Sequence, residues 1–473
     1  MTIDEICFTS ARDLVKKIVA RDLSVCEVMD AHLARIERFN PTVNAICTLL
    51  PEQARQQARD ADQALSRGAS PGPLCGLPVA IKDLTLTKDI RTTQGSPIYK
   101  DFVPDRDALF VERFKAAGAI VIGKTNTPEF GAGSHTFNTL FGVTRNPHDL
   151  SRSAGGSSGG AGAALASGML PIADGSDLGG SVRNPASFNG VVGLRPSPGR
   201  IPKVPTEQAW DTLSVYGPMA RDVSDVALLL SVMAGADARD PICISESPDQ
   251  FAGSLSAPTS GIRIAYSPDL GQFPVDAAVT SVIEKALPVF TDLGCEVEHA
   301  CPDFDGAWDA FHVLRGHGFA GSARVNLDEH RALLKDTVIW NIESGLKLSA
   351  RDVALAQIYR SGLFARMHDF FQRYDFLVLP TVQVAPFPAD WDWVHRINDV
   401  EMPTYVDWMQ SCALITMTEC PAISIPCGFT DSGLPVGLQI VGGFRKELDV
   451  LQLAYAFEQT GHVSMKPPRE TPL

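Results

Sequence analysis

The chain has no long apolar run, no basic cluster and no metal-ligand spacing, and each absence removes a class of function. Its longest apolar stretches, such as Val226 to Met233, fall well short of the ~20 residues that cross a bilayer, so no membrane partner is expected. The first 17 residues carry Asp4 and Glu5 and lack the apolar block of an export signal, which leaves the cytoplasm as the expected compartment. No basic run exceeds a pair such as Lys16-Lys17, and 41 lysines and arginines face 55 acids for a net charge of −14. Direct nucleic-acid binding is therefore not expected. Ten cysteines form no C-x-x-C pair, and ten histidines form no H-E-x-x-H or H-x-H pattern. Reduced thiols are expected, with neither a metal nor a cofactor.

What is present is a chain of 473 residues, 45% hydrophobic and 20% charged, which excludes a small binding module, a disordered chain and a fibrous one. Ser10 to Ala20 and Ser24 to Arg38 read as amphipathic helices opened by serines, the second stopped by Asn40-Pro41, and Gln53 to Arg67 reads as a third helix closed by Gly68. Residues 1–68 thus form an N-terminal helical segment. Apolar runs then alternate with helices: Leu77 to Ile81, a helix near Ala108 to Ala117, and Ala119 to Ile122. Farther on, Asp222 to Ala234, Val275 to Leu293 and Glu447 to Glu458 read as helices. Ile262 to Tyr266, Phe376 to Leu379, Ala422 to Ile425 and Val436 to Val441 read as strands. The alternation predicts an α/β protein. Only residues 330–400 look like a linker, so one large domain over 1–473 is preferred to three.

Two motif matches fail on context. Gly118 to Thr125 satisfies the P-loop formula, yet Ala119-Ile120-Val121-Ile122 is apolar and β-branched, better suited to a strand than to a pliable phosphate loop. Gly155-Gly156-Ser157-Ser158-Gly159 satisfies G-x-S-x-G and would make Ser157 a nucleophile on an elbow. The residues before it, Asp149 to Ala154, do not read as the buried strand an elbow requires.

The segment from 155 to 200 holds 12 of the 39 glycines in 46 residues, a density that points to close backbone approach or to N–H groups aimed at a ligand. Within it, Ala161 to Gly168 is a run of small residues suited to a tightly packed helix. Lys82 ends the apolar run Leu77-Pro78-Val79-Ala80-Ile81, where desolvation favours a neutral amine. A base working near neutrality needs its pKa brought down by roughly 3 from ~10.4. Alternatively, Lys82 snorkels or pairs with Asp83. Leu178-Gly179-Gly180 precedes Ser181, and two residues without Cβ let successive N–H groups converge as in an oxyanion hole, where one donor is worth ~3 kcal/mol of barrier.

Taken jointly, Gly76 to Asp83, Gly155 to Gly160 and Asp174 to Ala186 resemble the amidase signature family. Weaker matches extend through Gly123 to Asn126, Phe188 to Pro196 and Gly433 to Gln439. The resemblance implies a central mixed β-sheet flanked by helices on both faces, and a Lys82, Ser157 and Ser181 triad. Ser181 would attack the carbonyl carbon, with the N–H groups of Leu178, Gly179, Gly180 and Ser181 holding the developing oxyanion. Ser157 would be the bridging serine, usually carried on a cis peptide bond, that passes the proton to neutral Lys82. Ser158 is expected to cap the following helix and to make a supporting hydrogen bond, and Asp177 and Arg183 to form a supporting pair. The family often has threonine where this chain has Ser176, and cysteine where it has Asn189, which bears on the hydrogen-bond network rather than on the triad.

The resemblance implies hydrolysis of a C–N amide bond in a small molecule, with carbamate or ester cleavage as a side activity. Its alternative is the glutaminase subunit of a tRNA-dependent amidotransferase, whose partner protein binds the tRNA. Arg195-Pro196-Ser197 departs from the Lys-Pro-Thr pattern associated with that subunit. Four of the six tryptophans lie between Trp340 and Trp408, so the variable region 330–400 is expected to supply an aromatic wall over Ser181. A homodimer is compatible with this reading.

Overall fold

The computed structural model describes residues 1–322 and 327–463. At its centre, eight strands form a mixed sheet in the order Glu296–His299, Arg263–Tyr266, Phe376–Pro380, Pro435–Gly442, Ala422–Phe429, Val192–Arg195, Val215–Ala220 and Ile172–Asp177. The strand Arg263–Tyr266 pairs in parallel with both its neighbours, and the remaining pairs are antiparallel. Successive strand residues point to opposite faces, and here both faces are apolar. Phe376 and Val378 enter one core with Ile264, Ile423, Leu438 and Ile440, whereas Leu377 and Leu379 enter the other with Ala265, Ala422 and Val441.

Each face is covered by helices that bring their own apolar stripes. Val223–Met233, Ala277–Asp292 and Glu447–Gln459 close the first core, while Ala307–Ala320, Ala350–Phe370 and Gln410–Met417 close the second. Each buried Val, Leu, Ile or Phe contributes about 1.5–3 kcal/mol, which makes burial on two faces the main force holding the sheet. Among the described residues no helix is long and apolar enough to cross a membrane.

The N-terminal helices form as their serines predict. Ser10 accepts from Asp13 N at 3.2 Å, and Ser24 and Glu27 cap each other reciprocally. The second helix, however, runs Val25–Val43 and carries Pro41 inside its last turn. Its stop is Asn44, at φ 55, and the Asn40 side chain accepts from Ala45 N and Ile46 N at 2.9 and 2.8 Å. A proline there loses one N–H bond, which the end of a helix tolerates. The region 330–400 is not a linker: it holds the helices Asp336–Leu346 and Ala350–Phe370 and the strand Phe376–Pro380.

A second sheet of three strands, in the order Ile46–Leu49, Ile120–Thr125 and Pro78–Lys82, abuts the edge strand Ile172–Asp177, where Lys82 N donates to Asp174 Oδ1 at 3.0 Å. The P-loop match lies inside this sheet. Lys124 is buried and donates to Thr85 O, Thr87 Oγ1 and Thr92 Oγ1 at 2.6, 2.8 and 3.0 Å, so it ties a loop to the strand rather than facing a phosphate. The small-residue helix Gly159–Ala166 packs against the same sheet at backbone distance: a Cβ on Gly160 would lie 2.4 Å from Asn126 N. The ends of the strands Pro78–Lys82 and Ile172–Asp177 and the start of this helix therefore meet.

Candidate active site

Lys82 ends its strand fully buried, and its Nζ lies 2.7 Å from Ser157 Oγ, 2.8 Å from Ser158 Oγ and 3.0 Å from Ser176 Oγ. Burial lowers its pKa from 10.5 to about 7, and the opposing pull of the Asp174 and Asp177 charges does not restore it. Asp83 is not its partner. That carboxylate accepts from Thr93 N at 3.1 Å and from Thr93 Oγ1.

Ser157 follows a cis peptide bond from Gly156. The loop that carries it is fastened by side chains on the segment 134–136: Ser134 Oγ donates to Gly156 O at 2.7 Å, and Thr136 Oγ1 donates to Gly155 O at 2.8 Å. Asn189 Nδ2 donates to Ala154 O and Pro185 O, both at 2.7 Å, bracing the same loop from the other side. Ser158 occupies the N-cap position but makes no side-chain cap bond, which corrects the expected cap; its hydroxyl is hydrogen-bonded to Lys82 Nζ instead. Asp149–Ser153 is a strand after all, though half-exposed in a two-stranded hairpin with Arg145–Asn146 rather than inside the main sheet.

Ser181 sits in the turn between the strand Ile172–Asp177 and the helix Arg183–Asn189. Gly180 adopts φ 107, and a Cβ there would meet Cys412 Cβ at 2.5 Å, so only glycine permits this turn. Asp177 organises it: the carboxylate accepts from Gly180 N at 3.0 Å, Val182 N at 3.1 Å and the Arg183 guanidinium at 2.8 and 3.0 Å. The Gly180 N–H is therefore committed to Asp177, which narrows the expected oxyanion donors to Leu178, Gly179 and Ser181. Arg195 lies 3.4 Å from the same carboxylate. Burial alone would raise the Asp177 pKa, but the two guanidiniums outweigh it and hold the carboxyl well below its ordinary 3.8.

Asp177→Ala strands both guanidinium charges and frees the backbone N–H groups of Gly180, Val182 and Arg183. It is expected to lower stability at pH 7 by about 3–5 kcal/mol in urea unfolding. Because the folded pKa lies below the unfolded one, this stabilisation is complete above 3.8 and fades as pH falls beneath it. The gap between wild type and variant should narrow there, and a gap constant down to pH 2 would exclude the charge as its cause.

Ser157, Ser176, Leu178, Gly179 and Ser181 line one cavity of about 110 Å³, which shares Leu84, Phe130, Leu178 and Phe319 with an adjoining cavity of about 280 Å³. A larger cavity of about 550 Å³, walled by Phe364, Phe371 and Lys446, contains none of the serines. The tryptophans between 340 and 408 do not wall the site. Trp408 packs on Phe188 and Phe387, with ring centroids 6.3 and 5.1 Å away, and Trp340 packs on Tyr405 at 5.8 Å. The region 330–400 instead offers Val338 and Ile342, one helical turn apart.

The sequence pattern does not single out Asp174, Ser134, Thr136 or the cavity residue Arg315. Asp174 accepts the Lys82 N–H, and burial raises its pKa to about 6; the polar run Ser134-His135-Thr136 is the one signal in the sequence for the loop clamp.

A family model described as Amidase matches residues 27–451. An acylamidase of Rhodococcus erythropolis is 35% identical, covering 100% of this chain and 99% of the relative. A glutamyl-tRNA(Gln) amidotransferase subunit of Prochlorococcus marinus (strain MIT 9303) is 37% identical over 95% of this chain and 96% of its own. Among solved structures, a bacterial aryl acylamidase of the amidase signature family superposes with a TM-score of 0.93 at 30% identity, covering 99% of this chain and 100% of the other.

Proposed function

The chain belongs to the amidase signature family and is an amidase, and from that premise we propose that it cleaves small-molecule amides alone, through an acyl-enzyme on Ser181. The observation that carries this reading is the 2.7 Å contact between Lys82 Nζ and Ser157 Oγ, with Ser157 and Ser181 on one cavity wall. A neutral amine has two N–H groups and one lone pair, and Nζ has three hydroxyl neighbours. The Ser157 O–H donates to the lone pair, and the N–H groups donate to Ser158 and Ser176.

As Ser181 Oγ adds to the carbonyl carbon, its proton passes to Ser157 Oγ while the Ser157 proton passes to Lys82 Nζ. The oxyanion gathers the N–H groups of Leu178, Gly179 and Ser181. The reverse relay protonates the departing amine nitrogen, and water then repeats the cycle on the acyl-enzyme.

The apolar walls at Leu84, Phe130, Phe319, Val338 and Ile342 favour a carbon-rich substrate, an acyl amide or anilide, with carbamates and aryl esters turned over as well. The 37% identity to an amidotransferase subunit sustains the glutaminase reading as the second one. Assay of the purified chain on matched amides, carbamates, esters and glutamine decides between them. Turnover of simple amides without a partner is the expected result, and glutamine hydrolysis seen only with a partner protein would replace it.

A further inference from the structure

Six arginines are buried among the described residues: Arg35, Arg183, Arg195, Arg200, Arg315 and Arg360. Five have a carboxylate within 4.0 Å, on Asp4, Asp177, Asp177, Glu447 and Glu419 in turn. That pattern is what burial demands, because an uncompensated guanidinium in a protein interior is strongly unfavourable. Arg315 is the exception among the described residues, and it lines both the cavity that holds Ser181 and the wider one adjoining it.

Its partners are neutral. One nitrogen donates to the Asn341 amide oxygen, and another donates to the Tyr405 hydroxyl at 2.7 Å. The Phe319 and Tyr405 rings lie 4.7 and 5.4 Å from the guanidinium carbon, and Asn341 is anchored in turn through Thr337 O at 2.5 Å. The planar group is thus held in one orientation with its charge unmatched. Lys203, the other cation on the wider cavity, is already engaged by Asp211, 2.5 Å to the carbonyl and 3.7 Å to the carboxylate. Glu207, the remaining acid there, sits at the exposed rim.

We infer that Arg315 is a specificity-determining residue that binds a carboxylate on the substrate, so that the preferred amides have an apolar body and an anionic end. This rests on the Ser181 hydrolase reading above. A carboxylate offers two acceptor oxygens to the remaining N–H donors, supplying the charge that the fold withholds at this one arginine.

The test uses two matched pairs: the 4-nitroanilides of hexanoic and adipic acids, which place the carboxylate on the acyl side, and acetanilide with 4-acetamidobenzoate, which place it on the amine side. For at least one pair, wild type should favour the anionic member in kcat/KM by about 10- to 100-fold, the range of one charge-assisted contact. Arg315→Met should collapse that ratio toward one, mainly through KM, and Arg315→Lys should restore part of it. Binding of the same four compounds to Ser181→Ala and to Ser181→Ala with Arg315→Met, by calorimetry, reads the same preference without turnover. No preference for the anion in either measurement, or equal loss on both members of a pair, overturns the role of Arg315. Failure of a fluorophosphonate to label Ser181 would instead remove the hydrolase reading on which it rests.

Discussion

Ser181→Ala is expected to abolish covalent labelling by a fluorophosphonate and to lower amide hydrolysis by at least about 10⁴-fold, the scale on which removal of a nucleophile acts in a serine hydrolase. The size follows from the division of labour at the site. The glycine turn and its Asp177 anchor still present N–H groups to a carbonyl oxygen, so residual catalysis over water survives, but no covalent step remains. The fold should tolerate the change, because Ser181 is only partly buried and its backbone carbonyl still accepts from Ser158 N at 3.1 Å. Intact-mass spectrometry after labelling reads the result directly. Labelling that persists in Ser181→Ala and disappears in Ser157→Ala would move the nucleophile to the G-x-S-x-G serine.

Lys82→Met is expected to lower kcat by several orders of magnitude and to erase the acidic limb of the pH profile. With a pKa of about 7, the wild-type amine gains its lone pair as pH rises through neutrality, so activity should climb over that range and level off above it. A variant that keeps the wild-type limb would exclude Lys82 as the base.

The same substitution should also stabilise the protein. Lys82 titrates at about 7 when folded and 10.5 ordinarily, so between those values the unfolded chain holds a proton that the folded chain has shed. Stability therefore rises with pH across that window, and below it the buried charge imposes its full cost, roughly 5 kcal/mol by linkage. Methionine removes this cost and loses the contacts to three serine hydroxyls, which offsets part of the gain. Urea unfolding should show the variant several kcal/mol more stable at pH 7, with the advantage shrinking toward pH 10. A variant less stable at pH 7 would mean that the serine contacts outweigh the charge burial.

The strands Phe376–Pro380 and Pro435–Gly442 are legible in the sequence because both faces of the sheet are buried, which leaves near-continuous apolar runs. Ile172–Asp177 is not, since its Asp174, Gly175, Ser176 and Asp177 disfavour a strand on local grounds. It exists because six of its residues pair with Val215–Ala220, a partner distant in the chain. Pro41 misleads for the opposite reason: a residue that breaks helix interiors reads as a stop, whereas the left-handed turn at Asn44 ends the helix.

Within the site, the residues that act through contiguous backbone are readable as motifs, and those that meet across the fold are not. Leu178 to Ser181 form a turn whose glycine frame is written in order, but only the folded chain shows the Gly180 N–H spent on Asp177. The four tryptophans suggest a pocket wall because composition carries no direction; they pack on Phe188, Phe387, Tyr405 and His395 instead.

From residue order alone came the α/β class, the family resemblance and the choice of the lysine and the two serines, because each is encoded in short segments whose chemistry does not depend on distant neighbours. Tertiary structure decided how deeply Lys82 is desolvated, which hydroxyls surround it, and which side chains face Ser181. Those are properties of groups far apart in the chain and close in space, where burial sets the pKa and folding brings Arg315 to the cavity wall.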